Sequence, residues 1–401
     1  MSGAISLASR YWCLSVPRCV PSRGLSLTCP ESVVHYRFPR ARFLLPRPAR
    51  SFRLFASIGT MAGTEVTNRQ VLFKNYVVGW PKESDMEVVT TTKKLELREG
   101  QKDVILKVLY LSCDPYQRGR MRDSLDSYIP PFTPGKPLDG YGVGKVVLSN
   151  DPDFKENDIV EGLMAWEEYS LGFKLTKIES DAVPVSYYLG ALGMAGFTAY
   201  VGFFHVCQPK KGETIYVSAA SGAVGQMVGQ FAKLFGCHVV GSAGSAQKVD
   251  LLKNKFGYDE AFNYKEEPDL DAALKRYCPE GIDMYFENVG GKMLDAVLMN
   301  MKVFGRIAVC GMVSQYNNVE QDPIYNLNYT VKRRIKIQGF LQSDFVHLRP
   351  EFKKTVVEWF KEKKLEYVED MADGIEKGPA ALIGMLAGKN VGKQGIKVAD
   401  N

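Results

Sequence analysis

The run Val217-Ser-Ala-Ala-Ser-Gly-Ala-Val-Gly225 stands where an apolar, β-branched stretch gives way to a helical pattern. A glycine at such a turn lets the backbone approach a pyrophosphate, and a second lets the helix pack close to the sheet. The helix N-terminus then offers free N–H groups and the positive end of its dipole to the phosphates. Gly222, Ala223, Val224 and Gly225 are therefore candidates for dinucleotide binding, against the alternative of a bare structural turn. The end of the next strand reads Gly241-Ser-Ala-Gly-Ser-Ala-Gln-Lys248, without the acid that accepts from the ribose 2′-hydroxyl in NAD sites. A carboxylate there would repel a 2′-phosphate, whereas Ser245 and Lys248 donate to one, so NADPH is favoured. A solvated lysine on a helix surface is the alternative for Lys248.

Metal chemistry finds no ligand set. A catalytic zinc needs Cys and His donors, and a structural zinc needs four closely spaced Cys. Beyond residue 60 the cysteines are Cys113, Cys207, Cys237, Cys278 and Cys310, with no C-x-x-C among them. No metal is expected. His205 and His238 lie in apolar surroundings and read as packed or surface residues, and His347 beside a helix start reads as exposed. Cys113 has two readings, a structural thiol or an electrophile-sensitive one, and only a lowered pKa would favour the second.

These residues need elements to hold them. Residues 71–175 read as short strands parted by Gly/Pro/Asp clusters, with Val104 to Tyr110 and Gly142 to Leu148 the clearest, which predicts a small, partly open barrel. The rhythm then changes. Strands are expected at Thr214–Ala219, His238–Gly241, Ala261–Tyr264, Ile282–Phe286, Ile307–Cys310 and Ile335–Gln338. Helices are expected at Gly222–Phe235 and Gln247–Lys255 between them. Such alternation implies βαβ units and a parallel sheet, so the fold class is α/β. A helix over Pro350–Lys361 and a strand over Gly395–Val398 are placed to return to the first domain.

At 401 residues the chain suits two domains. Residues 1–60 hold nine Arg, no Lys and one acid, Glu31, a net of +8, and the remainder, with 42 basic and 44 acidic residues, carries −2. The basic balance thus belongs to the leader, and the body gives no compositional case for nucleic acid or an anionic membrane. The leader is Arg- and Ser-rich and broken by prolines, without the apolar run of a secretory signal. It reads either as an organellar transit peptide or as an extension upstream of a start at Met61. Residues 182–209 carry no charged side chain, yet Pro184, Gly190, Gly193 and Gly196 interrupt them. They read as a buried helix pair at a domain junction rather than a membrane span.

Several separated stretches together resemble the zinc-independent medium-chain dehydrogenases/reductases, and more narrowly the plant NADPH-dependent alkenal (double-bond) reductases related to prostaglandin reductase. They are Tyr110-Leu-Ser-Cys-Asp-Pro-Tyr116, Gly190 to Tyr200, Ala219 to Gly225, Phe262-Asn-Tyr-Lys265, Phe286-Glu-Asn-Val-Gly-Gly291 and Cys310-Gly-Met-Val-Ser-Gln-Tyr316. The match covers nearly all of 66–401. Where zinc enzymes of this superfamily carry Gly-His-Glu, the chain has Gly140-Tyr-Gly142. The resemblance implies a GroES-like catalytic domain from residues 61–190 and 359–401, and a Rossmann domain from 191–358, in a homodimer. It implies that Lys248 and Tyr264 hold the 2′-phosphate. It also implies that Asn288, Cys310, Gly311, Ser314, Tyr316, Phe340, Leu341, Gln342 and Asn390 line the rest of the cofactor. The family's catalytic tyrosine falls on Tyr316, with Tyr110 and Tyr116 as further candidates for the substrate pocket.

A reductase without a Lewis acid must act on a bond that is already activated. A C=C bond conjugated to a carbonyl suits it, because charge then moves to an enolate oxygen that a phenol O–H can stabilise. The leading expectation is therefore NADPH-dependent reduction of 2-alkenals and enones, with localisation cytoplasmic unless the leader directs the chain to plastid or mitochondrion. A quinone reductase of the same superfamily and a non-catalytic NADPH-binding sensor are the alternatives.

Overall fold

A computed structural model of the chain describes residues 61–179 and 182–400, so the leader lies outside the described residues. The β-branched runs of the first third form β1 (Glu65–Phe73), β2 (Met86–Lys94) and β3 (Val104–Ser112). A short helix, α1 (Gln117–Arg120), precedes β4 (Asp139–Ser149), β5 (Ile159–Ala165), β6 (Tyr169–Leu171) and β7 (Phe173–Lys177). β1 and β2 pair with each other, while β3, β4, β5 and β7 form an antiparallel series. β6 pairs back onto β3 and β7 onto β5. Only Gly172 separates them, so one bent segment closes the sheet around Leu106, Val108, Val146, Val160 and Trp166. A Cβ at Gly172 would fall within 2.9 Å of the Cδ methyls of Leu106 and Leu175, so the bend is closely packed.

Residues 182–209 are not the expected helix pair. After Pro184 a 3₁₀ turn (Val185–Leu189) leads through Gly190 and Gly193 into α2 (Met194–Tyr200), which widens into a π-helical stretch ending at Cys207. The glycines stop the first segment after five residues, leaving one buried helix with Phe197, Val201 and Phe203 fully covered. No helix among the described residues is long and apolar enough to cross a membrane.

The alternating half of the chain forms β8 (Thr214–Val217), α3 (Gly225–Phe235), β9 (His238–Ala243), α4 (Ala246–Asp250), β10 (Glu260–Asn263), α5 (Leu270–Tyr277), β11 (Ile282–Glu287), α6 (Gly291–Asn300), β12 (Met301–Val309), α7 (Tyr329–Arg333) and β13 (Lys336–Gly339). All neighbours are parallel, in the order β10-β9-β8-β11-β12-β13. The order reverses between β8 and β11, and a crevice at such a switch point is where ligands bind in open α/β sheets. α3 begins at Gly225, three residues later than expected, because Gly222 to Val224 belong to the turn. The expected helix at 247–255 is α4 followed by a π-helical turn, Leu251–Lys255.

After α8 (Arg349–Lys361) the chain returns to the first sheet through β14 (Glu369–Asp373), α9 (Gly378–Leu386) and β15 (Lys393–Lys397), with β15 antiparallel to β3. Two α3 glutamines grip the returning segment as a neighbouring strand would. Gln226 accepts the Val368 N–H at 2.9 Å and donates to its carbonyl at 3.1 Å, and Gln230 does the same for Glu366 at 2.7 and 2.9 Å. Truncation of either leaves a backbone N–H and C=O unpaired, so Gln226→Ala and Gln230→Ala are each expected to cost about 1–3 kcal/mol. Denaturant unfolding reads the loss, and faster amide exchange at Glu366 and Val368 ties it to the grip.

Candidate active site

The turn after β8 is wound tightly by its small residues. Ala219 takes a left-handed conformation (φ 47°), and a Cβ on Gly225 would sit 2.6 Å from the Ala219 carbonyl and from Ala220. The Gly222 N–H closes on Ala219 O at 3.0 Å, while the N–H groups of Ala223 and Val224 find no partner among the described residues. Free donors at the head of an eleven-residue helix fit a pyrophosphate. Gly222 also bridges Gly392 of the loop before β15, which lays the Asn390 loop against this turn; the Asn390 amide donates to Gly392 O at 2.7 Å.

One buried carboxylate organises the floor of the crevice. Glu287, at the end of β11, is fully covered. Its Oε1 accepts from the Tyr285 hydroxyl (2.7 Å) and from the N–H groups of Val289 (2.6 Å) and Gly290 (2.9 Å). Its backbone carbonyl takes the N–H of Cys310 at 2.9 Å and of Gly311 at 3.2 Å. Asn288 donates from its backbone to Ser218 Oγ at 3.0 Å and from its amide to Ser218 O at 2.8 Å. The loops after β8, β11 and β12 are thus tied together where the strand order reverses. Burial raises the Glu287 pKa, opposed by those N–H donors.

At the far end of the crevice, Ser245 caps α4, accepting the Lys248 N–H at 3.3 Å. Lys248 lies across the crevice with its ammonium on Gly388 O at 2.7 Å, and Tyr264 stands half-open beside Gly244. Burial and the nearby Lys265 lower the Lys248 pKa. Among the described residues Lys248 has no carboxylate within ion-pair distance. A corner where Lys248 and Lys265 outnumber the one carboxylate that acts on Lys248, Asp370, fits a phosphate, and the glycine cradle and Asn288 fit the rest of a dinucleotide.

Tyr316 ends the loop that follows β12. Val313 N–H bonds Asn288 O at 3.0 Å, and Ser314 donates through N–H and hydroxyl to Val289 O at 3.1 and 2.6 Å. The tyrosine then folds back over Gly311, where its oxygen accepts the Met312 N–H at 3.3 Å. An oxygen that accepts a bond from the backbone keeps its own proton for another acceptor. Burial raises the phenol pKa, so that proton stays in place. From the other domain, Arg122 donates to Tyr316 O at 2.7 Å and Arg118 to the Asn317 side chain at 2.9 Å.

Tyr116 is brought to the same neighbourhood with its hydroxyl buried and unpartnered, against Gly140. Tyr110 is not; it lies mid-strand on β3, opposite Val143 and Lys397. Two tyrosines that the sequence reading passed over join the group. Tyr141 takes a bond from the Gln342 amide at 3.5 Å and interacts electrostatically with Tyr116, and Tyr128 lies within electrostatic reach of Tyr316, Tyr141 and Cys310. In the sequence, Tyr141 stands out only as the residue in the place of a zinc-site histidine. Phe340 packs edge-on to Phe286 with centroids 6.1 Å apart, and Leu341 leads from it to Gln342.

The Tyr116 turn is anchored by a buried ion pair. Lys393, 1 % exposed, reaches Asp114 Oδ1 at 3.0 Å and the Cys113 carbonyl at 2.6 Å, while Ser112 donates to Asp114 Oδ2 at 2.6 Å. Burial pushes the Cys113 thiol up to about 12, which leaves it the structural reading. His205 and His238 have exposed rings away from this group. Among the described residues no group of three or more His, Cys, Asp or Glu is placed to hold a metal ion.

Two family models match the chain: an N-terminal domain of oxidoreductases over residues 69–178 and a zinc-binding dehydrogenase domain over 223–362. A 2-alkenal reductase (NADP(+)-dependent) of Nicotiana tabacum is 60% identical over 338 residues, covering 84% of this chain and 98% of that protein. A (+)-pulegone reductase of Mentha piperita is 53% identical, covering 83% and 99%. The crystal structure of CurA in complex with NADPH from Vibrio vulnificus superposes with a TM-score of 0.77 at 36% identity, covering 83% of this chain and all of that one.

Removing one partner of a buried ion pair leaves the other charge uncompensated. Lys393→Met is therefore expected to destabilise the protein by about 3–5 kcal/mol, read by denaturant unfolding, and a loss under about 1 kcal/mol would show the pair is hydrated.

Proposed function

The chain belongs to the zinc-independent medium-chain dehydrogenase/reductase family, and within it we propose that the protein saturates the C=C bond of α,β-unsaturated aldehydes and ketones with Tyr316 as its oxyanion donor. It is an NADP(H)-dependent reductase of activated double bonds, in keeping with its 60% identical relative and the NADPH complex of a 36% identical one. The observation that carries the role of Tyr316 is its bond from Met312 N–H, which leaves the phenol proton to donate.

When bound, NADPH supplies the hydride, and its addition at the β-carbon leaves charge on the carbonyl oxygen. Tyr316 stabilises that charge by donating its O–H, and the α-carbon takes its proton from water or from a group in exchange with it. Tyr116 and Tyr141 stand beside the reacting carbonyl, Tyr128 at its solvent side, with Phe340 as the apolar wall. The Ala223 and Val224 N–H groups hold the pyrophosphate, Ser245, Lys248 and Tyr264 the 2′-phosphate, and Asn288, Cys310, Gly311, Ser314 and Asn390 the remainder. The GroES-like domain runs over 61–190 and 359–401 and the Rossmann domain over 191–358.

The homodimer that the family resemblance implies has a suitable surface. β13 is the edge of the parallel sheet, and Val303, Phe304, Val331 and Ile337 are exposed beside it. The compartment depends on residues 1–60, which either direct the chain to an organelle or leave it in the cytoplasm.

NADPH oxidation with a medium-chain 2-alkenal is expected to yield the saturated aldehyde, identified by mass and NMR; an allylic alcohol, or higher kcat/KM on quinones, overturns the reading. Tyr316→Phe should lower kcat about 10²-fold, and near wild-type turnover would return the role to water. Because burial raises the phenol pKa, the profile of kcat against pH should show no alkaline decline from this group below about pH 10. Lys248→Ala should raise KM for NADPH far more than for NADH.

A further inference from the structure

β9 and β10 are parallel neighbours in register, with Ala243 opposite Asn263, so the residues that leave the two strands emerge at the same level. On one side these are Gly244 and Ser245, and on the other Tyr264 and Lys265. The Tyr264 N–H bonds Ala243 O at 3.1 Å, and the Lys265 N–H bonds the Asn263 side chain at 3.2 Å, which holds the turn after β10 against the end of β9. Gly244 leaves room for them. A Cβ there would lie 3.2 Å from Lys265 Cε and 3.4 Å from the Tyr264 hydroxyl.

Lys265 makes no ion pair among the described residues, and the acids nearest in sequence are engaged elsewhere: Glu266 accepts from the Asn263 amide and Glu267 pairs with Arg276. Across the corner, the field of Lys265 acts on Lys248, which also has no ion-pair partner. Asp370 opposes that field, and its Oδ2 accepts the Val391 N–H. Two lysines at one corner repel each other, Asp370 offsetting only part of it, and a dianion bound there reverses the sign of that interaction.

We infer that Lys265 is a second phosphate-binding cation, which together with Lys248 sets the preference for a 2′-phosphorylated over an unphosphorylated dinucleotide. The inference rests on the reading that Lys248 and Tyr264 hold a 2′-phosphate. Lys265 contributes charge from the β10 side, Lys248 from the β9 side, and Tyr264 an O–H between them. The signal for Lys265 in the sequence was its place directly after Tyr264, but only the register of β9 and β10 brings it to the corner.

The test uses the full chain and the fragment adenosine 2′,5′-bisphosphate, with 5′-AMP as the ligand that lacks the 2′-phosphate, each titrated by calorimetry. Lys265→Ala should weaken the bisphosphate about tenfold, leave 5′-AMP within twofold and make bisphosphate binding less dependent on salt. Lys265→Arg should restore most of the affinity. Unchanged bisphosphate binding in Lys265→Ala, alongside a loss in Lys248→Ala, overturns the role of Lys265 and spares the underlying reading. No loss in either variant overturns the 2′-phosphate reading itself. An equal loss for both ligands shows a general electrostatic effect and also overturns the assignment.

Discussion

The ion pair between Lys393 and Asp114 joins the two ends of the folded chain at the point where they meet the site. Asp114 lies in the turn that presents Tyr116, and Lys393 opens β15 directly after the Asn390–Gly392 loop that bridges the dinucleotide turn. Buried at 1 and 3 % exposure, neither charge has water to fall back on, so each holds the other in place. The α3 glutamines reinforce the coupling from behind, since their grip on residues 366 and 368 fixes the segment that delivers β14 and β15.

Without a metal to polarise the substrate, the protein must aim donors with its backbone, and Glu287 is the means. One carboxylate oxygen gathers the N–H groups of its own turn, while the residue's carbonyl gathers those of the Cys310 loop. That fixes the loop whose end is Tyr316. The phenol then leans on Met312 N–H rather than hanging free, so little reorganisation is needed when charge develops opposite it. Arg118 and Arg122 hold the same loop from α1 and the residue stretch after it.

Periodicity made the strand–helix alternation legible, and the missing acid after β9 made the cofactor's phosphate legible, because both are local. Three elements were not. The closure of the barrel comes from one segment that bends at Gly172 to pair with both β3 and β5, a pairing over long separations that alternation alone does not specify. The helix pair expected at 182–209 became one helix, because the glycines that mark its ends also end it. In the site, Tyr316 followed from the family motif, whereas Tyr128, Tyr141 and Lys265 needed register and domain packing. Tyrosine is too common in this chain, at 20 residues, for its type alone to single out Tyr128 and Tyr141.

The cysteines fit the proposed chemistry in a way that no motif announces. Thiolates add to the β-carbon of enals and enones, so a reductase that concentrates such substrates in a crevice endangers its own thiols. Burial pushes Cys113, Cys207, Cys278 and Cys310 up to about 12 and Cys237 up to about 11. At pH 7 a thiol of pKa 12 is ionised about once in 10⁵, against a few per cent for an ordinary one near 8.5. Cys310 stands in the cofactor loop within electrostatic reach of Tyr128 and Tyr316, where an adduct would block the site. The apolar cover that keeps its proton on also raises the Tyr316 pKa. One desolvated environment thus keeps the proton on the phenol and on the neighbouring thiol alike, so in the proposed reaction the substrate would meet an acid and no thiolate.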